Sequence, residues 1–353
     1  MTDLLSMTLP ELTALVTEMG EKPFRAKQIY EWLHKKLVTD YSEMRNVPAA
    51  LKEKLEERAA FSYPAVRALQ ISKADGTRKY LFEFADGNCA ESVRMSYHHG
   101  HTVCISSQVG CRMGCRFCAS TLLGLTRNLT AGEMLAQVYA IMRDTGERVS
   151  NVVVMGTGEP LDNYDSLVRF LRMISDGDGL NISERNLTVS TCGIVPGIRR
   201  LKEEKLMINL ALSLHAPNDA LRQTLMPIAK RYPLKEVLAA MRDYYAEGRR
   251  RLTFEYSLIR GVNDTDACAE ELARLISGMN CLVNLIPVNP VKETAFRETR
   301  PGDVQGFKKK LENHGIHVTI RREMGRDIDG ACGQLRKRYA APDHQKIQTD
   351  KKL

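Results

Sequence analysis

Three cysteines that lie close together in the sequence have the spacing of an iron–sulfur site. Cys111, Cys115 and Cys118 form the pattern Cys-x3-Cys-x2-Cys, with the aromatic Phe117 before the last cysteine. Thiolates at this spacing on one loop can bind three irons of a cubane cluster. The fourth iron would then lack a protein ligand and could bind a substrate.

Zinc is an alternative to the cluster, because three histidines shortly precede the cysteines: His98, His99 and His101. A zinc site would need a fourth ligand at finger-like spacing, which the three cysteines do not supply. Three buried structural cysteines are a further interpretation, although free cysteines rarely cluster so tightly. The chain has nine cysteines, an odd number that argues against a disulfide framework. The pattern favours a cluster.

The charge balance favours a polyanionic partner. Among 353 residues, 51 Lys and Arg face 43 Asp and Glu, a net charge of +8. Basic residues cluster at 249–251, 321–322 and 336–338 and on one face of the segment 25–36. Each cluster alone is more typical of a solvated surface, but together they suit a surface that binds RNA phosphates.

Composition places the chain among ordinary globular proteins. It is 43% hydrophobic and 27% charged, which excludes a disordered or collagen-like protein. No apolar run approaches the roughly 20 residues that a membrane span needs, and the N-terminus lacks the apolar core of a signal peptide. We therefore expect a cytoplasmic protein that does not bind membranes.

From about residue 102 onward, strand-like and helix-like segments alternate. Alternation of this kind predicts an α/β fold with parallel strands, and the number of units suits an incomplete barrel. Thr130 and Glu133 form a capping box for a helix that Gly146 can end. The predicted strands are 102–107, 151–156, 187–191, 207–214, 252–259, 282–287 and 316–321.

The first hundred residues have a different pattern. Helices are predicted from Thr8 to Gly20, over 24–37 and from Pro48 to about Ala60, and Asp86-Gly87 predicts a hairpin. The predicted organisation is a helical accessory domain that contacts RNA, a β-hairpin connector, a barrel core, and a basic, loosely ordered tail: 1–62, 63–100, 101–335 and 336–353.

The cysteine pattern resembles the signature of radical S-adenosylmethionine (SAM) enzymes. Further motifs are similar to those of the RlmN/Cfr family of RNA methyltransferases, and they extend through nearly the whole chain. They are FRAKQI at 24–29, GTGEPL at 156–161, STCG at 190–193, SLHAPN at 213–218, GVND at 261–264, LIPVNP at 285–290 and DIDGACGQL at 327–335.

The resemblance implies a partial (β/α) barrel that holds one [4Fe–4S] cluster on Cys111, Cys115 and Cys118. The open iron would chelate SAM, and an electron from the cluster would cleave SAM to a 5′-deoxyadenosyl radical. Thr157 departs from the methionine usual between the two glycines. The positions that match SAM contacts are Gly158, Glu159, Ser190, Ser213, Leu214, His215 and Asn289. From the residues alone, 156–161 is more typical of a strand-to-helix turn and His215 of a structural histidine.

The resemblance also implies a catalytic pair of cysteines. Cys332 would take a methyl group from one SAM, and a second SAM would supply the radical that activates it. Cys104 would then release the product by forming a disulfide with Cys332, and Glu91 would accept a proton. From the residues alone, each cysteine is more typical of a small buried hydrophobe, and Glu91 of an exposed strand residue.

The implied activity is methylation of adenine C2 in 23S rRNA, at the peptidyl-transferase centre, and in tRNA, 3′ of the anticodon. A Cfr-like enzyme that methylates C8 is the near alternative, but Pro160 favours the C2 enzyme. A non-catalytic RNA-binding protein stabilised by zinc or a cluster is the alternative from another class, and it leaves Cys104, Cys332 and Glu159 without a role. We expect a monomer that receives electrons from a flavodoxin or ferredoxin.

Overall fold

Three helices form the N-terminal region of the computed structural model, which describes residues 2–98, 100–246, 251–289, 295–328, 335–336 and 339. The helices are α1 Leu9–Glu18, α2 Phe24–His34 and α3 Ala49–Arg58, and the short strands β1 Thr2–Asp3 and β2 Ala59–Ala60 pair beside them. Helix α2 ends three residues earlier than predicted. Leu37 adopts a left-handed φ of 57°, which a helix cannot include.

Ten strands of the described chain form one open sheet. Its order is β14-β13-β12-β11-β10-β9-β6-β5-β4-β3, and the strands from β6 to β14 in this order are parallel. The strands are β3 Ala65–Ile71, β4 Arg78–Glu83, β5 Cys89–Tyr97, β6 Gly100–Ile105, β9 Val149–Val154, β10 Leu187–Thr191, β11 Asn209–Ser213, β12 Leu252–Leu258, β13 Cys281–Pro287 and β14 His317–Ile320. All seven predicted barrel strands are present.

Helices connect the parallel strands and cover the sheet. They are α4 Ala131–Thr145, α5 Tyr164–Ser175, α6 Val195–Glu203, α7 Asp219–Leu225, α8 Leu234–Tyr245, α9 Asp266–Leu275 and α10 Pro301–Asn313. Helix α4 begins and ends as predicted: Thr130 and Glu133 cap its first turn, and Gly146 ends it with a left-handed φ of 68°. The sheet and helices bury one continuous apolar core.

The hairpin at Asp86-Gly87 forms, and it belongs to a larger unit than predicted. Strands β3, β4 and β5 make an antiparallel meander, and β5 pairs with the first barrel strand β6. The predicted connector is therefore continuous with the barrel sheet. The predicted domain boundaries stay a prediction.

A short ribbon next to the sheet was not predicted. Strands β7 Gln108–Gly110 and β8 Leu125–Asn128 pair antiparallel and bracket the segment that carries the cysteine triplet. Strands of three and four residues give no recognisable alternation in the sequence. Within the part of the chain that the structure describes, no helix is long and apolar enough to cross a membrane.

Candidate active site

A cavity of about 480 Å³ opens at the carboxyl ends of the parallel strands. Active sites of (β/α) barrels collect at this end. Apolar side chains line part of its wall, among them Met95, Phe117 and Met324. Ten of the predicted site residues line the same cavity: Cys104, Cys111, Cys115, Cys118, Gly158, Glu159, Ser190, Ser213, His215 and Asn289.

The cysteine loop is held closed at its neck. The Cys111 N–H donates to the Gly124 carbonyl at 3.0 Å, where β7 meets β8. Gly110 has a φ of 82°, and a Cβ there would lie 1.9 Å from the Gly124 carbonyl oxygen. Only glycine allows this approach. At the far end of the loop, the Arg116 N–H donates to the Leu225 carbonyl of α7 at 2.9 Å.

The three thiols lie in a poorly hydrated pocket. Burial raises the pKa of the Cys111 thiol to about 12, and it raises the pKa of Cys115 far above its ordinary value. All three cysteines line the same cavity, and negative charge on Cys118 adds to the shifts of Cys111 and Cys115. Metal binding removes these protons, because the thiolate is the ligand. Three soft, clustered thiols at one cavity fit an iron–sulfur cluster.

A single metal ion has less support. Among the residues with described positions, no three His, Cys, Asp or Glu side chains could hold one ion. Ligands of one zinc ion all lie about 2.0–2.3 Å from it, whereas a cubane binds each cysteine through a different iron. His99, one of the histidines considered for zinc, lies outside the described residues.

The turn after β9 brings Glu159 to the cavity. Gly158 has a φ of 108°, and a Cβ there would lie 2.6 Å from Gln108 Cβ. The Glu159 carboxylate accepts the N–H of Cys192 at 2.8 Å and of Leu161 at 3.1 Å, and burial raises its pKa. Its remaining acceptor capacity suits an ammonium group. Thr157 is buried in this turn, where its N–H donates to Ser106 Oγ at 2.9 Å.

Polar side chains at the next strand ends face the same cavity. The hydroxyl oxygens of Ser190 and Ser213 lie 3.2 Å apart. His215 Nδ1 accepts the Ser257 N–H at 2.9 Å, which leaves the ring proton on Nε2. Burial lowers the pKa of His215 to about 3, so the imidazole is neutral and can donate one hydrogen bond. His215 also has a left-handed φ of 57°.

Two groups in the cavity wall were missed or misread from the sequence. Glu255 on β12 is buried, its pKa is raised by burial, and it accepts a hydrogen bond from Asn284 Nδ2 at 2.9 Å. A charged residue between Phe254 and Tyr256 in a barrel strand is the signal that could have revealed it. The pair at 321–322, interpreted as a solvated run, lines the cavity.

Two protein-family profiles match this chain, one over the N-terminal helices and one over the barrel. Residues 2–61 match the profile of the "Ribosomal RNA large subunit methyltransferase N-terminal domain", and residues 105–276 match the "Radical SAM superfamily". The "Probable dual-specificity RNA methyltransferase RlmN" of Lachnospira eligens is 57% identical over 339 residues, 96% of this chain and 97% of that relative. The chain belongs to the RlmN family.

Other RlmN relatives and a solved structure agree. The protein of the same name from Lachnoclostridium phytofermentans is 60% identical, over 96% of this chain and 95% of its own. The crystal structure of a radical SAM methyltransferase from Sphaerobacter thermophilus is 45% identical and matches with a TM-score of 0.91, over 95% of this chain and 99% of that one. The partial barrel with a helical N-terminal region is thereby confirmed. A [4Fe–4S] cluster and SAM are the cofactors of this superfamily.

Two predicted site residues, Leu214 and Glu91, are not among the described residues that line the cavity. Cys332 lies outside the described residues. Leu214 is buried in the core, and its N–H donates to the Glu255 carbonyl at 3.0 Å. The sequence predicted an exposed Glu91, but the structure buries it. Its charge is paired, since Lys79 Nζ lies 2.9 Å from its Oε2. Its Oε1 accepts the Arg336 N–H at 2.6 Å.

Proposed function

We infer that this chain is a radical SAM methyltransferase that adds a methyl group to C2 of adenine in 23S rRNA and tRNA. The observation that carries this inference is one cavity shared by three groups of residues. The cysteine triplet, the polar strand ends and Cys104 all face it. Membership of the RlmN family supports RNA as the substrate.

The residues of the cavity suit the two cofactors. Cys111, Cys115 and Cys118 would hold the cluster. The bound cluster and SAM together would supply a radical that removes a hydrogen atom from a methyl group. Glu159 can accept hydrogen bonds from the ammonium group of SAM, and the neutral His215 can donate a hydrogen bond to an acceptor atom elsewhere on SAM. Apolar side chains around these groups keep water out.

Cys104 and Cys332 would move the methyl group. Cys104 is buried beside Val93 and Met95 at the cavity, and Ile328, four residues before Cys332, also lines it. In the proposed step, the Cys104 thiolate attacks the Cys332 sulfur. An S–S bond forms while the bond from sulfur to the base-attached carbon breaks, and the electron pair goes to that carbon, which a proton completes to methyl. A dithiol reductant then restores both thiols.

Glu91 would accept the proton that leaves adenine C2. Its carboxylate is held by Lys79 and by the Arg336 N–H, four residues after Cys332. One hydrogen bond thus joins Glu91 to the segment that follows Cys332.

Peptide mass spectrometry on Cys332 tests the proposal. The anaerobically reconstituted protein is incubated with methyl-labelled SAM, and a labelled S-methyl group on Cys332 is expected. Cys332→Ala should abolish methyl transfer and keep the cluster, whereas Cys104→Ala should leave RNA covalently attached through Cys332. An unmodified Cys332 in protein that still cleaves SAM would refute the two-cysteine mechanism.

Mass spectrometry of the modified nucleoside distinguishes C2 from C8. Pro160 and the RlmN relatives favour C2, and a C8 product would replace this proposal with the Cfr-like one. Iron and sulfide content distinguishes the cluster from zinc, because a protein that reconstitutes only with zinc would be the non-catalytic RNA-binding alternative. A flavodoxin or ferredoxin donor, a cytoplasmic location and a monomeric state complete the proposal.

A further inference from the structure

Arg222 is a fully buried arginine beneath the cysteine loop. It lies in α7, the helix whose Leu225 carbonyl binds the Arg116 N–H of that loop, and 0% of its surface is exposed. Its guanidinium donates from Nε to the Leu214 carbonyl at 3.1 Å, and from Nη2 to the Cys192 carbonyl at 2.7 Å and the Ser213 carbonyl at 3.2 Å.

The guanidinium of Arg222 has no direct ion-pair partner among the described residues. Nη1 is buried and has no hydrogen-bond partner among them, and no carboxylate of the described chain forms an ion pair with it. Burial lowers the pKa of Arg222, and negative charge on Cys192, Cys115 and Asp219, in that order, opposes this shift. A buried cation that binds carbonyl oxygens without a direct ion pair is costly, and an anion placed beside it would lower that cost.

The cysteine loop supplies the place for that anion. Cys115 packs against the apolar cluster that contains Leu225 and Met226, the residues at the end of the helix of Arg222, and the neighbouring Arg116 N–H donates to the Leu225 carbonyl. A cubane held by three thiolates carries net negative charge in its oxidised form and one more negative charge after it accepts an electron. Net charge near the cluster and burial are among the main determinants of its reduction potential.

We propose that Arg222 is a charge-compensating residue for the iron–sulfur cluster, which stabilises the bound cluster and raises its reduction potential. The proposal rests on the cluster site of the proposed function. Arg222 touches neither SAM nor RNA in this role. Its positive charge would stabilise the negative charge of the cluster. Electron transfer from a low-potential donor to the cluster would therefore become more favourable.

The alternative is a purely structural role, in which the guanidinium only joins the ends of β10 and β11 through their carbonyls. The two roles predict different potentials for two substitutions. Arg222→Met removes the charge and the hydrogen bonds at similar volume. Arg222→Lys keeps the charge but cannot bind three carbonyls through a fork. If the role is only structural, the reduction potential of the cluster should not depend on whether the side chain at position 222 is charged.

The experiment is a redox titration of the reconstituted protein with dithionite, followed by electron paramagnetic resonance. Arg222→Met is expected to shift the reduction equilibrium at least about tenfold toward the oxidised cluster, about 59 mV for one electron. Arg222→Lys should stay within about threefold of the parent. Arg116→Met is the matched control, because Arg116 is exposed beside Cys115 and its charge is screened by water.

Iron content after gel filtration with a chelator is the second readout, and Arg222→Met should lose iron faster than the parent. An unchanged potential in Arg222→Met would overturn the proposal, as would a lysine variant displaced as far as the methionine variant. If Arg222→Met does not fold, Arg222→Gln, which removes the charge but keeps a hydrogen-bond donor, replaces it with the same expected shift and the same overturning result. A parent protein that assembles no cluster would instead refute the proposed function, so the two failures are distinguishable.

Discussion

Glu91 and Lys79 show how strongly a single pair of residues depends on its surroundings. Lys79 is 0% exposed and Glu91 3% exposed, and their charged atoms lie 2.9 Å apart. Breaking a buried ion pair by removing one partner leaves the other charge in a poorly solvated place. The fold therefore loses stability when either residue is removed, because the charge of the other then lacks its partner.

Lys79→Met is expected to lower the free energy of unfolding by about 3–5 kcal/mol, because Glu91 keeps its burial and loses its lysine. Denaturant unfolding under anaerobic conditions measures this value. Lys73→Met is the matched control on the same meander, since Lys73 is exposed, and it should change stability by less than about 0.5 kcal/mol. Equal stability of the two variants would contradict the importance of the buried pair.

The sequence predicts these residues unequally. The cysteine triplet is visible because its ligands are adjacent in the chain. Glu91 is visible only through a family resemblance, and its burial is not visible at all. Lys79 comes from the neighbouring strand, and the Arg336 N–H comes from 245 residues away. Alternation within one strand cannot report partners that only the tertiary fold supplies.

At the scale of elements, the ribbon of β7 and β8 determines where the cysteine loop begins and ends. Gly110 and Gly124 face each other at its neck, and both have left-handed φ angles, 82° and 64°. They differ in their surroundings, because a Cβ on Gly110 would overlap the Gly124 carbonyl, whereas a Cβ on Gly124 would meet nothing within 4 Å.

Gly110→Ala is therefore expected to open the neck of the loop and to reduce bound iron by more than half after reconstitution. Gly124→Ala carries a similar cost for the left-handed backbone, about 1–2 kcal/mol, but should bind iron normally. Iron and sulfide analysis of both variants checks the prediction. Equal iron content in the two would mean that the neck contact does not matter for the cluster.

Elements that belong to the strand–helix alternation or carry a capping signal were predictable, and the ribbon was not. Strand β10 has the predicted bounds Leu187–Thr191, and α4 has its predicted cap, because several residues carry each signal. The ribbon of β7 and β8 was not foreseen. Its strands are too short for periodicity, and its form depends on a contact between two glycines that are fourteen residues apart.

At the scale of the whole molecule, acid stability depends on two buried histidines. Burial lowers the pKa of His34 and of His215 to about 3, below their ordinary value of 6.5. Between these values the unfolded chain binds protons that the folded chain does not. Each histidine therefore destabilises the fold as the pH falls below 6.5, by up to about 1.4 kcal/mol per pH unit.

His34→Asn should reduce this pH dependence, because it removes one of the two groups and keeps an acceptor for Tyr139. Denaturant unfolding at pH 7.0, 5.5 and 4.5 measures the slope. The exposed His317, replaced by Asn, is the control and should leave the slope of the parent unchanged. A slope unaffected by His34→Asn would show that other groups control acid unfolding.

The molecule carries a net charge of +8, and one of its arginines lies at the cavity. Arg322 is exposed and lines the cavity, where an incoming RNA would bring its phosphates. Arg322→Ala is expected to weaken RNA binding and to lower the slope of log K against log salt by about 1. Fluorescence anisotropy with an RNA hairpin measures both values. Arg199→Ala, on the outer helix α6, should match the parent, and a shared effect would point to net charge alone.

The order of strands in the sheet has a consequence for synthesis. The spatial order of the strands in the large sheet follows their order in the chain, from β3 to β14, so each strand can pair with one synthesised before it. The cysteine triplet emerges about 200 residues before the segment after β14 that completes the cavity wall. At 5–20 residues per second, this interval is about 10–40 s. During that time the thiols of a nascent chain are open to oxygen and stray metal ions, so cluster insertion must follow release or be guarded until then.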